Sequence, residues 1–227
     1  MSLGKKLINI ESAPDYGVVT SGLVLHWNAN ASASYPGTGN TIYDISNSGT
    51  AYNGTFVNTI AYTTDNGYNV LGTNGTNSYI YNTTLDLSST DYTVMVGSRY
   101  TSISGRLLTA YGNNWLLGHW QGSINKYYAQ GWISSSTIGG GDTDWRIYTG
   151  TGDISGDSYS LYSNNSSLYS NNGGSEGPDG IMFGRYEHPS DNEYGAGYLS
   201  FVLVYNRVLT TTEMTQNYNV FKDRLGL

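Results

Sequence analysis

The strongest hydrophobic signal in this chain comes last. In GYLSFVLVYNR, Tyr198, Leu199, Phe201, Val202, Leu203, Val204 and Tyr205 leave almost no polar position, which predicts a strand covered on both faces. The spacing then becomes helical. Thr210 and Glu213 form a capping box, Met214, Tyr218, Phe221 and Leu225 make one apolar stripe, and Gly226 stands where a C-cap glycine belongs. A helix over 211–225 is predicted.

Upstream the period is two. Leu23, Leu25 and Trp27 alternate with Val24 and His26, and Tyr92, Val94 and Val96 share a face opposite Thr93 and Met95. Further strands are expected at 41–46, 55–60, 78–81, 106–111, 115–119, 127–133, 144–148, 157–162, 168–169 and 181–186, with Asn164–Asn165 as a tight turn. Many short strands without an internal repeat predict an all-β, two-sheet antiparallel sandwich topped by one terminal helix, not a propeller. Residues 1–20, interrupted by Pro14 and Gly17, are expected to form an extended N-terminal arm, and 21–227 the sandwich.

Composition narrows the function. Of 227 residues only 12% are charged, the net charge is −7, and there are 22 tyrosines, 30 glycines and no cysteine. Disulfides, thiolate metal sites and cysteine nucleophiles are therefore excluded. No basic stripe suits nucleic acid, and no apolar run approaches the ~20 residues of a membrane-crossing helix. Behind Lys5 and Lys6 the run LINI is too short for a secretory hydrophobic region. A surface of Tyr, Asn, Ser and Gly suits adaptable contact, although Tyr and Thr are also plain strand formers.

The chemistry on offer is aromatic. Trp115, His119, Trp120, Tyr127, Tyr128, Trp132 and Trp145 lie close in sequence, with Arg106, Asn113, Asn114 and Gln121 nearby. Sugars stack on such rings while polar groups bond their hydroxyls; the same rings also fill cores and interfaces. Trp115 and Leu117 share a side, which leaves Trp120 or His119 to reach a loop. Catalysis has thinner support. A retaining glycosidase needs two carboxylates about 5 Å apart, and the chain has five glutamates with no Glu-x-Asp-x-x-Glu run. Glu187 and Asp191 flank His188 in what reads as a solvated turn, and no G-x-S-x-G elbow occurs. No catalytic residue, resident metal or cofactor is expected. Asp142, Asp144 and Asp153 could offer calcium oxygen ligands, but acidic side chains in glycine-rich loops also hold turn amides.

The segment GLVLHWNANASASYPGTGNTIYDISNSGTAYNGT resembles the opening of laminin-G-like, concanavalin A-like jelly-roll domains of bacterial and phage proteins. LLTAYGNNWLLGHWQGSINKYYAQGWI, DWRIYTGTGDISGDSYSLY and VLVYNRVLTTTEMTQNYN are similar to versions in tailed phages, particularly those of cyanobacteria. The resemblance spans Gly22 to Leu227. It departs at Asn28, where an aspartate is usual, and at Tyr43, where a tryptophan is usual; Asn28 weakens any calcium site there. The resemblance implies a non-enzymatic virion structural protein, either a head decoration or fibre or a tail adhesion component. Its partners would be other virion proteins, further copies of itself (a trimer) and host-surface polysaccharide. The alternatives are a carbohydrate-binding module of a bacterial secreted protein and a glycoside hydrolase on the same fold.

Overall fold

The computed structural model describes residues 17–188 and 191–227, with Glu187, His188, Asp191 and Asn192 as backbone only. Residues 1–16 of the expected arm lie outside the described residues. In chain order the first strands are β1 (Leu23–Asn28), β2 (Thr41–Ile42), β3 (Gly54–Val57), β4 (Ala61–Asp65), β5 (Tyr68–Asn74), β6 (Tyr79–Asp86) and β7 (Tyr92–Ser102). Then come β8 (Arg106–Thr109), β9 (Trp115–Trp120), β10 (Ser123–Ala129), β11 (Arg146–Asp153), β12 (Ser158–Ser163) and β13 (Ser166–Asn171). The series ends with β14 (Asp179–Phe183), β15 (Arg185–His188), β16 (Asp191–Tyr194), β17 (Ala196–Tyr205) and the helix α1 (Thr211–Leu225).

Two sheets stack as a sandwich. The first runs β13-β12-β11-β7-β17-β5-β4, with β1 also on β17. The second runs β10-β9-β8-β14-β6-β3-β2, and the hairpin β15–β16 hangs from β8 through one parallel bridge, Tyr194 to Arg106. The other described pairings are antiparallel.

The closing ribbon is the spine. β7 pairs along one flank of β17, while β5 and then β1 pair along the other. Val202 and Val204 face the second sheet in the larger core; Phe201, Leu203 and Tyr205 face the opposite way, into a second core beneath α1. Both faces are covered, as the run of apolar residues predicts. A register shift between Leu199 and Phe201 lets these two residues, two apart, face opposite sides.

The terminal helix forms as its sequence specifies. The Thr210 hydroxyl accepts from the Glu213 amide, the Glu213 carboxylate accepts from the Thr210 amide, and Gly226 adopts φ 73° at the C-cap. Met214, Phe221 and Leu225 are buried, each worth roughly 1.5–3 kcal/mol of hydrophobic stabilisation. Phe221 stacks on Phe201 at 3.7 Å. Gly97 makes this possible, since a Cβ there would lie 2.5 Å from the Phe201 ring. Asn217, polar yet fully buried in the stripe, donates to the Tyr205 hydroxyl at 2.8 Å and accepts from the Val19 amide at 2.8 Å. Val18 and Val19, placed in the arm by sequence, thus pack against this chain's own helix.

Two hairpins escape the sequence reading: β15–β16, where Glu187, His188 and Asp191 are read as a solvated turn but lie in paired strands, and one in the stretch between Ile60 and Ser78, to which periodicity assigns nothing. β4 and β5 pair there around Asn66 and Gly67, at φ 50° and 81°. Two positive φ values form the tight turn for which Asn-Gly is suited.

Candidate functional site

The alternation of β9 and β10 divides the aromatic cluster in two. Trp115 and Leu117 face inward, and Tyr127, paired with Leu117, faces inward with them. His119 shares their parity and is fully buried against Tyr100 and Tyr148, at ring separations of 4.5 and 5.2 Å. The polar atoms of the tryptophan and tyrosine rings find partners inside the sandwich. Trp115 Nε1 donates to the Tyr92 hydroxyl at 3.1 Å, that oxygen meets the Tyr127 hydroxyl at 2.5 Å, and Tyr127 donates to the Thr151 carbonyl at 3.1 Å. Burial holds the Tyr92 and Tyr127 hydroxyls protonated and pushes the His119 pKa down to about 3, so its imidazole stays neutral. Trp115, His119 and Tyr127, expected as ligand contacts, are instead core residues, because no solvent reaches them.

Trp145 is also separated from the cluster. It belongs to the second core, beneath the helix on the far side of the first sheet, and is 7% exposed.

The remaining rings gather on the outer face of the second sheet. Register places Tyr128, Leu116, Thr109, Met182 and Tyr81 in one outward row across β10, β9, β8, β14 and β6. Leu116, Thr109 and Met182 form its buried floor. At one end Trp132 packs on Trp120 at 4.8 Å and on Tyr128 at 5.0 Å. At the other, Tyr81 stacks on Tyr111 at 5.8 Å with planes 25° apart, and Tyr79 adjoins Tyr81. Tyr111 is 41% exposed, and Tyr79, Tyr81, Tyr128, Trp120 and Trp132 are partly exposed. This ring-lined shelf is the candidate site.

Between the two clusters, the hairpin β15–β16 brings charge under control. The Arg106 guanidinium lies 3.9 Å over the Tyr186 ring, donates through Nε to Glu193 and through one terminal nitrogen to Asn114 at 2.7 Å. Gln121 donates to the other Glu193 oxygen at 3.3 Å. Arg185 lies over Tyr79 and Tyr194, at 4.9 and 5.1 Å. Asn113, expected as a ligand contact, is a structural residue instead. Its side-chain amide donates to Glu176 and to the Gly177 carbonyl, and its oxygen accepts from the Asp179 amide. Its three bonds fix the approach to β14.

Of the residues expected from sequence, Arg106, Asn114, Trp120, Gln121, Tyr128 and Trp132 therefore lie together. Tyr79, Tyr81, Tyr111, Tyr186 and Tyr194 join them without being expected from sequence. The outward parity of Tyr79 and Tyr81 around inward Ile80 is a signal present in YIYN; their neighbours across the sheet are not readable from local spacing.

Acidic residues are engaged elsewhere. Asp142 binds Arg146 through both oxygens, and Asp153 accepts from the Gly156 amide at 2.7 Å. Among the described residues no three His, Asp or Glu side chains converge to hold a metal. The side chains of Glu187 and Asp191 lie outside the described residues. Clefts among the described residues open away from the shelf. One of about 470 Å³ is lined by Asp65, Arg99, Asp144, Trp145 and Arg146, and one of about 450 Å³ by Tyr35, Tyr62 and Tyr68 among others. No described helix is long and apolar enough to cross a membrane.

No family model matches the chain, and no curated protein is similar enough in sequence to count as a relative. Solved structures do match. A Trypanosoma rangeli sialidase mutant displaying trans-sialidase activity superposes with TM-score 0.65 at 14% identity, over 92% of this chain and 34% of that one. Domain 4 of AbnA, an extracellular arabinanase from Geobacillus stearothermophilus solved with arabinotriose, gives TM-score 0.63 at 16% identity, over 88% of this chain and 98% of the domain. Botulinum neurotoxin type C, whose cell entry depends on two ganglioside molecules, gives 0.57 at 15%, over 88% and 51%. The likeness fixes the fold. This chain is a two-sheet antiparallel β-sandwich with one helix, and the matches span about a third of the sialidase, half of the toxin chain and nearly all of the arabinanase domain.

Proposed function

We infer that this chain is a non-catalytic carbohydrate-recognition sandwich that contacts glycan through the shelf on its second sheet. One observation carries the reading: the outer face of that sheet presents stacked tyrosines and tryptophans where a solvated sheet face would present charged and small polar side chains. Indole and phenol rings offer apolar faces to sugar C–H groups and polar tips to hydroxyls. The carboxylate bonded into the shelf, Glu193, is occupied by Arg106 and Gln121, which argues for binding and against hydrolysis.

The sequence resemblance to tailed-phage domains supports a setting for this role. The chain acts as a virion component, in head decoration, fibre or tail adhesion, assembled as a homo-oligomer with other virion proteins and meeting host-surface polysaccharide.

A glycan array probed with the full chain tests the binding reading. Saturable signal is expected, and Trp120→Ala, with an unchanged thermal transition, should weaken it about tenfold or more, equivalent to ~1.4 kcal/mol or more. An array blank across all glycans overturns it. Mass spectrometry of purified particles tests the setting: many copies per particle would place the chain on the head, a handful on the tail, and none would remove the virion role.

A further inference from the structure

We propose that the shelf takes an uncharged oligosaccharide, long enough to touch both ring clusters at once. The inference rests on the carbohydrate reading and narrows it by charge and by length.

A carboxylate or sulfate is recognised by an available guanidinium fork or ammonium group. Arg106 does not offer one, being 6% exposed, bonded to Glu193 and Asn114, and covered on one face by Tyr186. Arg185 is 9% exposed and set against Tyr79 and Tyr194. Lys126 on β10 is 6% exposed, with its ammonium on the Ser135 and Thr137 carbonyls at 2.9 and 2.6 Å. Each of these three described cations is already engaged within the protein. The carboxylate of Glu193 and the net charge of −7 add a field that disfavours anions further. Among the described side chains, the groups left at the surface of the shelf are ring faces, phenol hydroxyls and amides such as exposed Gln121, which suit neutral hydroxyls.

The strand register sets the length. Tyr128 and Tyr81 end the same outward row, four strand-to-strand steps apart, or ~19 Å at the usual ~4.8 Å spacing. A single sugar ring can sit on one cluster only. A chain laid across the strands gains Trp132 and Tyr128 at one end and Tyr111 and Tyr81 at the other.

Titration calorimetry on the full chain tests both parts, using uncharged malto-, cello- and arabino-oligosaccharides from one to six units and oligogalacturonates and sialylated oligosaccharides of matched length. At least one uncharged series should bind with affinity rising about tenfold or more from the monosaccharide to the longer chains. That binding should change little between about 50 and about 500 mM salt. Tyr111→Ala and Trp132→Ala, each checked for an unchanged thermal transition, should each flatten the length dependence. Tighter binding of the anionic series, weakened by salt, overturns the charge assignment while leaving the carbohydrate reading intact. Uncharged binding that is independent of length or insensitive to Tyr111→Ala overturns the two-cluster geometry. Failure of every sugar in every series removes the carbohydrate reading itself, and this inference with it.

Discussion

His119 shows how much one buried ring can govern. Its ordinary pKa is near 6.5 when unfolded and about 3 when folded, mainly because burial disfavours the charged ring. Between those values the unfolded chain binds a proton that the folded chain refuses, so stability must fall as pH falls from about 6.5 towards about 3, by up to ~1.4 kcal/mol per unit. His119→Phe should flatten the acid limb of urea midpoints measured between pH 7 and 5. That range stays clear of Glu213, whose pKa of about 2, set first by its hydrogen bonds from Arg207, makes its contribution fade only as pH falls from about 4.5. Spacing puts Trp115 and Leu117 on one face and leaves His119 or Trp120 to reach a loop; the structure buries His119 with the first two and leaves Trp120 partly exposed. Which face is inward depends on the partner sheet: Tyr148 on β11 meets His119 across the core, and no local pattern states that. Trp115, His119 and Tyr127 look like sugar-stacking residues by type and act as core by position.

Elements are more legible than single residues where the chain carries its own punctuation. The capping box, the apolar stripe and Gly226 locate α1 from sequence, and the structure places it at Thr211–Leu225. Removing the cap with Thr210→Ala should cost about 1 kcal/mol. Emptying the contact on Phe201 with Phe221→Ala should cost about 3–5 kcal/mol, both read from denaturant unfolding followed by circular dichroism. A loss below ~1 kcal/mol for Phe221→Ala would show that the second core contributes little. Weak amphipathicity hides β4 and β5: AYTTD and YNVLGTN mix small and polar residues, and the Asn66–Gly67 turn between them is the better signal. Asn164–Asn165, at φ 48° and 64°, makes the comparable turn between β12 and β13 and is legible because two asparagines in a row stand out. The shelf needs five strands in register, and register between distant strands is set by the whole fold.

At the scale of the molecule, a helix, two sheets and two cores depend on contacts made far apart in sequence. Val19 bonds Asn217, Thr93 bonds the Arg207 carbonyl, and β1 pairs with β17. Long-range pairing of this kind slows folding, so refolding from urea should take milliseconds to seconds or longer, without a microsecond phase that restores full tryptophan fluorescence. Shortening the chain after Gly195 should leave an insoluble product, detectable by partition between supernatant and pellet. It strips β7 of a flank, β5 of a flank, and β1 of its sheet partner. The placement of β17 also has a consequence during synthesis. Among the described strands, the one that sits between its neighbours in space is made after all the others, so until it emerges the nascent sandwich carries open edges and unsealed apolar surface. Maturation of the sandwich then turns on the arrival of β17 and the docking of one ribbon, an event that a cell's holdase chaperones would have to wait for.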